Sequence, residues 1–467
     1  MLIEAGLLLI PAVTGLICHE QASFRAFLIS ALAAAAAGGL LSLVRTRGSN
    51  IYAREGFAIV GLSWIMLSLF GCLPFIISGQ IPDFADAFFE TVSGFTTTGS
   101  SILTDIEALD KSMLLWRSFT HWVGGMGVLV FAMIIIPLGG KRSMHLLRAE
   151  SPGPSSGKLV PKMRDTATIL YGIYIALSVI LLIFLMAGGM PLFDSLINVF
   201  GTAGTGGFSN HGASIAYYDS KYFEIVIGIF MLIFGVNFNV YFLLLLRRFR
   251  AAAGNEELHW YLGIVAFAVI TIALNINSMF GSFREAVRYS FFQVSSVITT
   301  TGFATADFDQ WPQYSRTLLI LLMFVGACAG STGGGLKVSR LILLIRTALR
   351  GVRRQIHSRS VESIRFGGQI IEEETISTCL IYLVIYLMII LASVLLISFD
   401  NFSFEANTTA VISCINNIGP GLGMVGPAGN FSAYSAASKL ILSFDMLAGR
   451  LELFPILMLF APSAWRR

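Results

Sequence analysis

Long apolar runs alternate with short polar connections along this chain. A bilayer core takes about 20 mostly apolar residues per helical crossing. Stretches of that kind recur at 1–18, 24–44, 57–79, 113–137, 166–188, 222–246, 259–280, 315–348, 376–399 and 436–461, so ten membrane-spanning helices are predicted. The first stretch has no basic leader or A-x-A cleavage site and carries Glu4, so it reads as a helix and not as a signal peptide. The stretch at 315–348 is too long for one straight crossing, because about 34 helical residues extend roughly 50 Å against a core of about 30 Å. A break is predicted in the run Gly326-Ala327-Cys328-Ala329-Gly330-Ser331-Thr332-Gly333-Gly334-Gly335. Each interior glycine there costs about 1 kcal/mol relative to alanine.

Between the apolar runs a second pattern repeats four times. The segments are ETVSGFTTTGSS from Glu90, NVFGTAGTGGFS from Asn198, QVSSVITTTGFA from Gln293 and AVISCINNIGPG from Ala410. Gly99, Gly207, Gly302 and Gly419 are equivalent, at spacings of 108, 95 and 117 residues. Each segment follows an amphipathic stretch too short to cross. One such string alone is a polar loop; four suggest re-entrant loops around one axis, since irregular backbone at membrane depth is tolerated only inside protein or along a water-filled path. A row of backbone carbonyls that replaces an ion's hydration shell needs φ > 0 at some positions, which glycine supplies cheaply. The strings Thr97-Thr98-Gly99, Thr205-Gly206-Gly207, Thr300-Thr301-Gly302 and Asn417-Ile418-Gly419 meet that need, and threonine hydroxyls add oxygens at the mouth of the row.

Composition agrees with a membrane setting: 55% of the 467 residues are hydrophobic and 12% charged, with a mean hydropathy of +0.77. Of the 31 Lys and Arg, 22 fall in Arg45–Arg54, Lys141–Arg164, Arg247–Arg250, Lys337–Arg365 and Arg466–Arg467. Every second connection is therefore basic, which places those on the cytoplasmic side. The connections between them carry Asp83, Asp86, Glu90, Asp105, Glu107, Asp110, Asp219, Asp307, Asp309, Asp400 and Glu405, an acidic outer vestibule that would concentrate cations. Five scattered cysteines imply neither a disulfide framework nor a zinc site. The six histidines share no carboxylate motif, so no catalytic residues are assigned and the chain is not read as an enzyme.

Gly124, Gly125 and Gly127 read as close-packing residues, His121 as a satisfied polar residue at the outer interface, and Trp116, Trp122 and Trp311 as interfacial anchors. The arginine-rich stretch 346–365 is a positive-inside signature or a docking surface for a cytosolic partner. GSTGGGLK does not fit a phosphate-binding loop. Arg450, mid-span, either faces the bundle interior or is a structural partner of Asp445 or Glu452.

The strings TVSGFTTTGS, TGGFS, ITTTGFATADFD and NNIGPG, with GACAGSTGGGLKVSR between the last two, resemble the Trk/Ktr/HKT superfamily of potassium transporters over nearly the whole chain. The match is closest to the bacterial Trk system membrane subunit, whose branch carries two extra leading spans. The resemblance implies an all-α polytopic membrane protein with four M1-P-M2 repeats (helix, pore loop, helix) around one pore. Residues 1–46 would hold the two additional helices, and 47–148, 149–250, 251–360 with the interrupted helix, and 361–467 the four repeats. It further implies potassium uptake across the bacterial inner membrane, with K+ as transported ion held at the twelve filter residues and no covalently bound cofactor. Gly99 favours potassium, because serine there accompanies sodium transport in plant members; Asn417 and Ile418 depart from the threonines of the other segments. A gate is implied at Gly326, Gly330, Ser331, Thr332, Gly333, Gly334, Gly335 and Lys337, with Arg450 set against it in the pore. The expected partners are a second copy in a homodimer, a cytoplasmic nucleotide-binding regulatory subunit of the TrkA type and the lipid bilayer, but no nucleic acid; the N-terminus is expected in the cytoplasm. Channel-like and H+- or Na+-coupled (symporter) transport both remain open, and the alternative function is a secondary carrier of another monovalent cation or small solute.

Overall fold

A computed structural model describes residues 1–43, 53–127, 163–357 and 362–462. The basic runs 141–162 and 466–467, most of 45–54, and the second half of the predicted span 113–137 lie outside the described residues. The described chain is almost wholly helical, with one two-residue hairpin pairing Arg365–Phe366 and Gln369–Ile370. In order the helices are α1 Leu2–Ile17, α2 Gln21–Ser42, α3 Ala53–Gly71, α4 Leu73–Ser78, α5 Phe84–Phe95, α6 Lys111–Gly125, α7 Met163–Ala187, α8 Leu192–Ala203, α9 Lys221–Phe234 and α10 Phe238–Leu245. They continue as α11 Phe249–Ala253, α12 Glu256–Ile276, α13 Phe283–Ile298, α14 Gln313–Val325, α15 Val338–Ile356, α16 Glu373–Ile397, α17 Phe404–Asn416, α18 Ala436–Arg450 and α19 Phe454–Phe460.

Not every predicted crossing is one long apolar helix among the described residues. Among the described residues five helical stretches are long and apolar enough to span: Gln21–Ser42, Glu55–Ser78, Ala167–Ala187, Glu256–Met279 and Glu373–Asp400. A sixth appears if α9 and α10, bent by 90° at a short break, count as one. Within the described residues, the other apolar runs are short or interrupted. Helix α1 has 16 residues, about 24 Å of rise; α14 stops at Gly326; and α18 is separated from α19 at Leu451–Leu453, where Glu452 and Leu453 take positive φ. Hydropathy reports burial in lipid or protein alike, so it cannot distinguish a crossing from a broken helix packed inside the bundle.

Helices α5, α8, α13 and α17 are the short amphipathic elements predicted before each glycine string, with 12, 12, 16 and 13 residues. Three start at a side-chain cap: Asp83 accepts from the amide of Asp86, Ser282 from Glu285 and Ser403 from Ala406, satisfying donors that a helix start leaves free. Each packs between a preceding and a following helix, giving the groups α3–α5–α6, α7–α8–α9, α12–α13–α14 and α16–α17–α18. Helices α1 and α2 pack on each other as a pair.

The helices pack through large apolar clusters, the strings around the axis are polar, and the outside of the bundle is apolar. Leu32, Phe267, Leu391 and Leu395 are exposed, while Ser93, Thr96, Thr98, Thr299 and Asn416 are buried. That inversion suits a protein whose surroundings are lipid and whose axis carries polar groups. Several charges inside are paired: Glu90, expected in the vestibule, is buried, and its carboxylate accepts from Arg117 at 2.7 Å, the Ser101 hydroxyl and the Ile102 amide. Asp86 binds Lys439 at 2.5 Å, and Arg316 bridges Asp309 and Glu405. Four of the eleven acidic residues expected in the vestibule are therefore neutralised within the protein. Lys337, Arg340 and Arg350, counted in a cytoplasmic basic run, are buried as well.

The tryptophans are not interfacial anchors. Trp116 is buried and donates to the Gly71 carbonyl at 2.9 Å, Trp122 donates to Ser178, and Trp311 is buried near Phe308. The five cysteines are free thiols, four of them buried.

Candidate functional site

The four short helices end identically. In each, one residue past the last turn takes left-handed φ and its N–H bonds three residues back; the next N–H bonds five back. The pairs are Thr97 to Gly94 with Thr98 to Ser93, Thr205 to Thr202 with Gly206 to Gly201, Thr300 to Val297 with Thr301 to Ser296, and Asn417 to Cys414 with Ile418 to Ser413, all between 2.8 and 3.2 Å. This is the Schellman closure, which normally places glycine at the left-handed position. Here Thr97, Thr205, Thr300 and Asn417 occupy it, with φ of 58°, 54°, 59° and 56°. A non-glycine residue there costs on the order of 1–3 kcal/mol. Sequence reasoning assigned the positive φ to the glycines, and Gly99, Gly207, Gly302 and Gly419 do take it, two residues further on; the strained threonines went unseen.

With the amides turned back into the helix ends, the carbonyls are left over. Among the described residues no hydrogen-bond donor reaches the carbonyls of Thr97, Thr98 and Gly99, or of their counterparts in the second and third strings. The strings also close a ring. A Cβ on Gly99 would fall on the Gly206 carbonyl oxygen, one on Gly207 on that of Thr301, one on Gly302 on that of Ile418, and one on Gly419 would lie 2.9 Å from that of Thr98. Each glycine thus abuts the carbonyl just before the equivalent glycine of the next string, and the fourth returns to the first. Unpaired buried carbonyls are costly, and a dehydrated cation is the partner such rings accept.

The fourth string is bound differently. Its glycine carbonyl accepts from Ser413 at 2.7 Å and Ser100 at 3.1 Å. Asn417 donates through Nδ2 to Thr98 Oγ1 at 3.0 Å and to the Met446 carbonyl at 2.9 Å. The threonine hydroxyls are mostly engaged: Thr98 with Thr96, Thr301 with Thr299, Thr205 with the Gly204 carbonyl, and Thr300 with the Gly334 amide. Thr97 Oγ1 and Asn417 Oδ1 are buried without a partner among the described residues. Outside the ring is a cavity of about 100 Å³, bordered by all four equivalent glycines. Near it Tyr218 and Asn210 bond to Asp194 at 3.1 and 2.9 Å; burial first, and the Asp194 charge second, push the Tyr218 phenol above its ordinary range.

Gly326–Lys337 is unwound between α14 and α15 and presses on the other end of the ring. The Gly334 amide donates to Thr300 Oγ1 at 2.7 Å, and a Cβ on Gly333 would lie 3.0 Å from the Thr299 carbonyl. Gly326, Gly330, Gly335 and Lys337 all take positive φ, and Lys337 Nζ is buried against the Gly333 carbonyl. Arg450 donates to the Thr332 carbonyl at 2.8 Å and to those of Gly124 and Gly125 at 2.6 and 2.7 Å. Those two carbonyls close α6, where the helix dipole favours a cation. Glu452 pairs with Arg340 at 2.5 Å and Asp445 accepts from Ser393 at 2.8 Å. The glycines of α6 therefore do more than pack: they present the carbonyls that hold Arg450.

Three contributors were missed in the sequence. Glu257 is buried and accepts from the amides of Ala329 (2.7 Å) and Ser339 (3.1 Å), bracketing the loop. The break between α9 and α10 holds the loop from the opposite side, as Gly235 O accepts from the Cys328 amide and Gly330 O from that of Phe238, both at 3.0 Å, and Phe234 O from the Thr332 hydroxyl at 3.2 Å. Gly235-Val-Asn237 inside an apolar run was the available signal for that break. His121 lies behind the second string, not at the outer interface: it is buried, 4.2 Å from the Phe208 ring, and fills the place a Cβ on Gly206 would take.

The sequence matches the TrkH family, described as "Cation transport protein", over residues 20–254 and 257–466. It is 38% identical over 476 residues to the Trk system potassium uptake protein TrkH of Salmonella typhimurium, covering 100% of this chain and 97% of that protein. To the Trk system potassium uptake protein TrkG of Escherichia coli it is 31% identical over 465 residues, covering 98% and 94%. The crystal structure of the potassium transporter TrkH from Vibrio parahaemolyticus is similar throughout, with a TM-score of 0.88 at 30% identity, covering 100% of this chain and 97% of that one. A multi-pass helical bundle whose four glycine strings close a carbonyl ring, matched over nearly its whole length by these relatives, belongs to the TrkH family of cation transport proteins and is not an enzyme.

Proposed function

We propose that this chain takes up potassium across a bacterial inner membrane, with the ring of Thr97-Thr98-Gly99, Thr205-Gly206-Gly207, Thr300-Thr301-Gly302 and Asn417-Ile418-Gly419 as its selectivity filter. The observation that carries the reading is the closed ring of left-over carbonyls, each abutting the glycine of the preceding string. The names of the relatives, Trk system potassium uptake proteins, support K+ as the ion. The helix packing supports the division into 1–46, 47–148, 149–250, 251–360 and 361–467. Gly326–Gly335, with Lys337 and Arg450, forms the gate: three carbonyls hold Arg450 against the loop, and its charge opposes a cation leaving the filter. In this reading the chain works as a homodimer with a cytoplasmic nucleotide-binding subunit, its N-terminus cytoplasmic.

Flux into proteoliposomes, with potassium, sodium and proton gradients imposed separately, tests the function. Potassium entry driven by membrane potential alone, worth about 2.3 kcal/mol per charge at 100 mV, is expected of a channel-like pathway. Entry that needs a proton or sodium gradient identifies coupling, and no potassium entry under any gradient removes the proposal.

A further inference from the structure

A groove of about 560 Å³ opens between α7 and α10, in the size range of small-ligand sites. Gly172, Ile173, Ala176 and Leu177 form one wall, Leu244 and Leu245 the other. The polar tip of Tyr241, which also lines it, is turned away, donating to the Ile233 carbonyl at 2.5 Å. The groove is therefore apolar throughout. Just past its Leu245 end come Arg247, Arg248 and Arg250, all exposed and without an acidic partner among the described residues. Helix α9, of 14 residues, rises about 21 Å, so the 90° bend turns α10 aside before a core of about 30 Å is crossed. With the basic connections on the cytoplasmic side, the exposed arginines would lie near the headgroups of that leaflet, where anionic lipids collect.

We propose that this groove binds one anionic phospholipid, an acyl chain lying along Gly172–Leu177 and the phosphate held by Arg247, Arg248 and Arg250. Charge decides the occupant: an apolar slot ending in three unpaired arginines complements a lipid with a negative headgroup, whereas a zwitterionic lipid leaves them uncompensated. The site bears on transport through the bend, because residues 234–238 bond Cys328, Gly330 and Thr332 of the intramembrane loop. A lipid wedged between α7 and α10 fixes that bend and so holds the loop in place. This regulatory consequence rests on the loop being the barrier; lipid binding does not.

The test uses the full-length chain in detergent, with thermal unfolding followed as dioleoyl phosphatidylglycerol or dioleoyl phosphatidylcholine is added. The glycerol lipid should raise Tm by about 5 °C at saturation and the choline lipid by less than half as much. Arg247→Gln/Arg248→Gln/Arg250→Gln should reduce the first shift to the second. Gly172→Leu should abolish both shifts without lowering the lipid-free Tm, since a Cβ at Gly172 meets nothing within 4 Å. Equal shifts from the two lipids, or full shifts in the Gly172→Leu chain, would overturn the site. A changed oligomeric mass for Gly172→Leu by light scattering would also overturn it, assigning the groove to a second copy. In vesicles, potassium flux that differs between the two lipids in the parent chain but not in the arginine variant supports the regulatory link, and lipid-independent flux in both removes it. Failure of the loop as barrier is read separately, as flux unaltered by deleting the loop.

Discussion

At the scale of single residues, the proposed filter depends on positions where a side chain has no room or no comfortable backbone. Gly99 combines a φ of 83° with a neighbour's carbonyl where its Cβ would go. Gly99→Ser must displace Gly206 O from the ring, so relative potassium over sodium permeability should fall at least tenfold, about 1.4 kcal/mol of discrimination. Reversal potentials under bi-ionic conditions measure it, and an unchanged ratio in well-folded protein would exclude Gly99 from the filter. Asn417 looked like a degenerate threonine; it is instead the non-glycine residue best suited to left-handed φ, and it ties the fourth string to Thr98 and Met446. Asn417→Thr loses both bonds and adds backbone strain, so a destabilisation of about 2 kcal/mol is expected, visible as a lower thermal midpoint. Beneath the first string, Glu90→Ala would strand the buried Arg117 guanidinium and cost about 3–5 kcal/mol. A Glu90→Ala chain as heat-stable as the parent would show that Arg117 is solvated.

At the scale of elements, the intramembrane loop is a segment with few side chains and many shared backbone bonds. Its anchors come from four places: Thr300 of the ring, Glu257 at the start of α12, the α9–α10 break, and Arg450 at the end of α18. Removing Gly330–Gly334 should raise potassium flux several-fold, since the obstruction goes while α14 and α15 remain. Arg450→Ala should also raise flux per folded protein, because it removes both a positive charge and the clamp on Thr332. A purely structural arginine gives the opposite sign, with less folded protein and less flux. Uptake normalised to monodisperse protein separates the two, and reduced uptake in both variants at normal expression would overturn the gate.

At the scale of the whole molecule, four groups of packed helices surround one ring, and the proposed sides of the membrane rest on the charges of the connections. Asp105 precedes Ile106, which borders the cavity outside the ring, and Arg353 lies in the last turn of α15. After the five native cysteines are replaced, single cysteines at 105 and at 353 should react with an impermeant thiol reagent from opposite faces of a vesicle. Labelling from one face would refute the arrangement. The same comparison fixes which face carries Arg247–Arg250, and so which leaflet supplies the proposed lipid.

The membrane setting, the four glycine strings and their register were legible in the chain itself, because length, apolarity and local φ requirements are properties of short segments. The same is true of the break at Gly326–Gly335, where glycine cost and excess length coincide. What the tertiary structure decided lies in long-range pairing. Only the folded bundle sets Gly99 against Gly206 and Gly419 against Thr98, gives Glu90 to Arg117 and Glu452 to Arg340, and leads Arg450 to the carbonyls of Thr332, Gly124 and Gly125. Hydropathy could not foresee the 90° bend after Phe234 either. An apolar residue is equally at home against lipid or against another helix, and the bend is held by bonds to a loop about 95 residues further along the chain, from Gly235 to Cys328 and from Phe238 to Gly330.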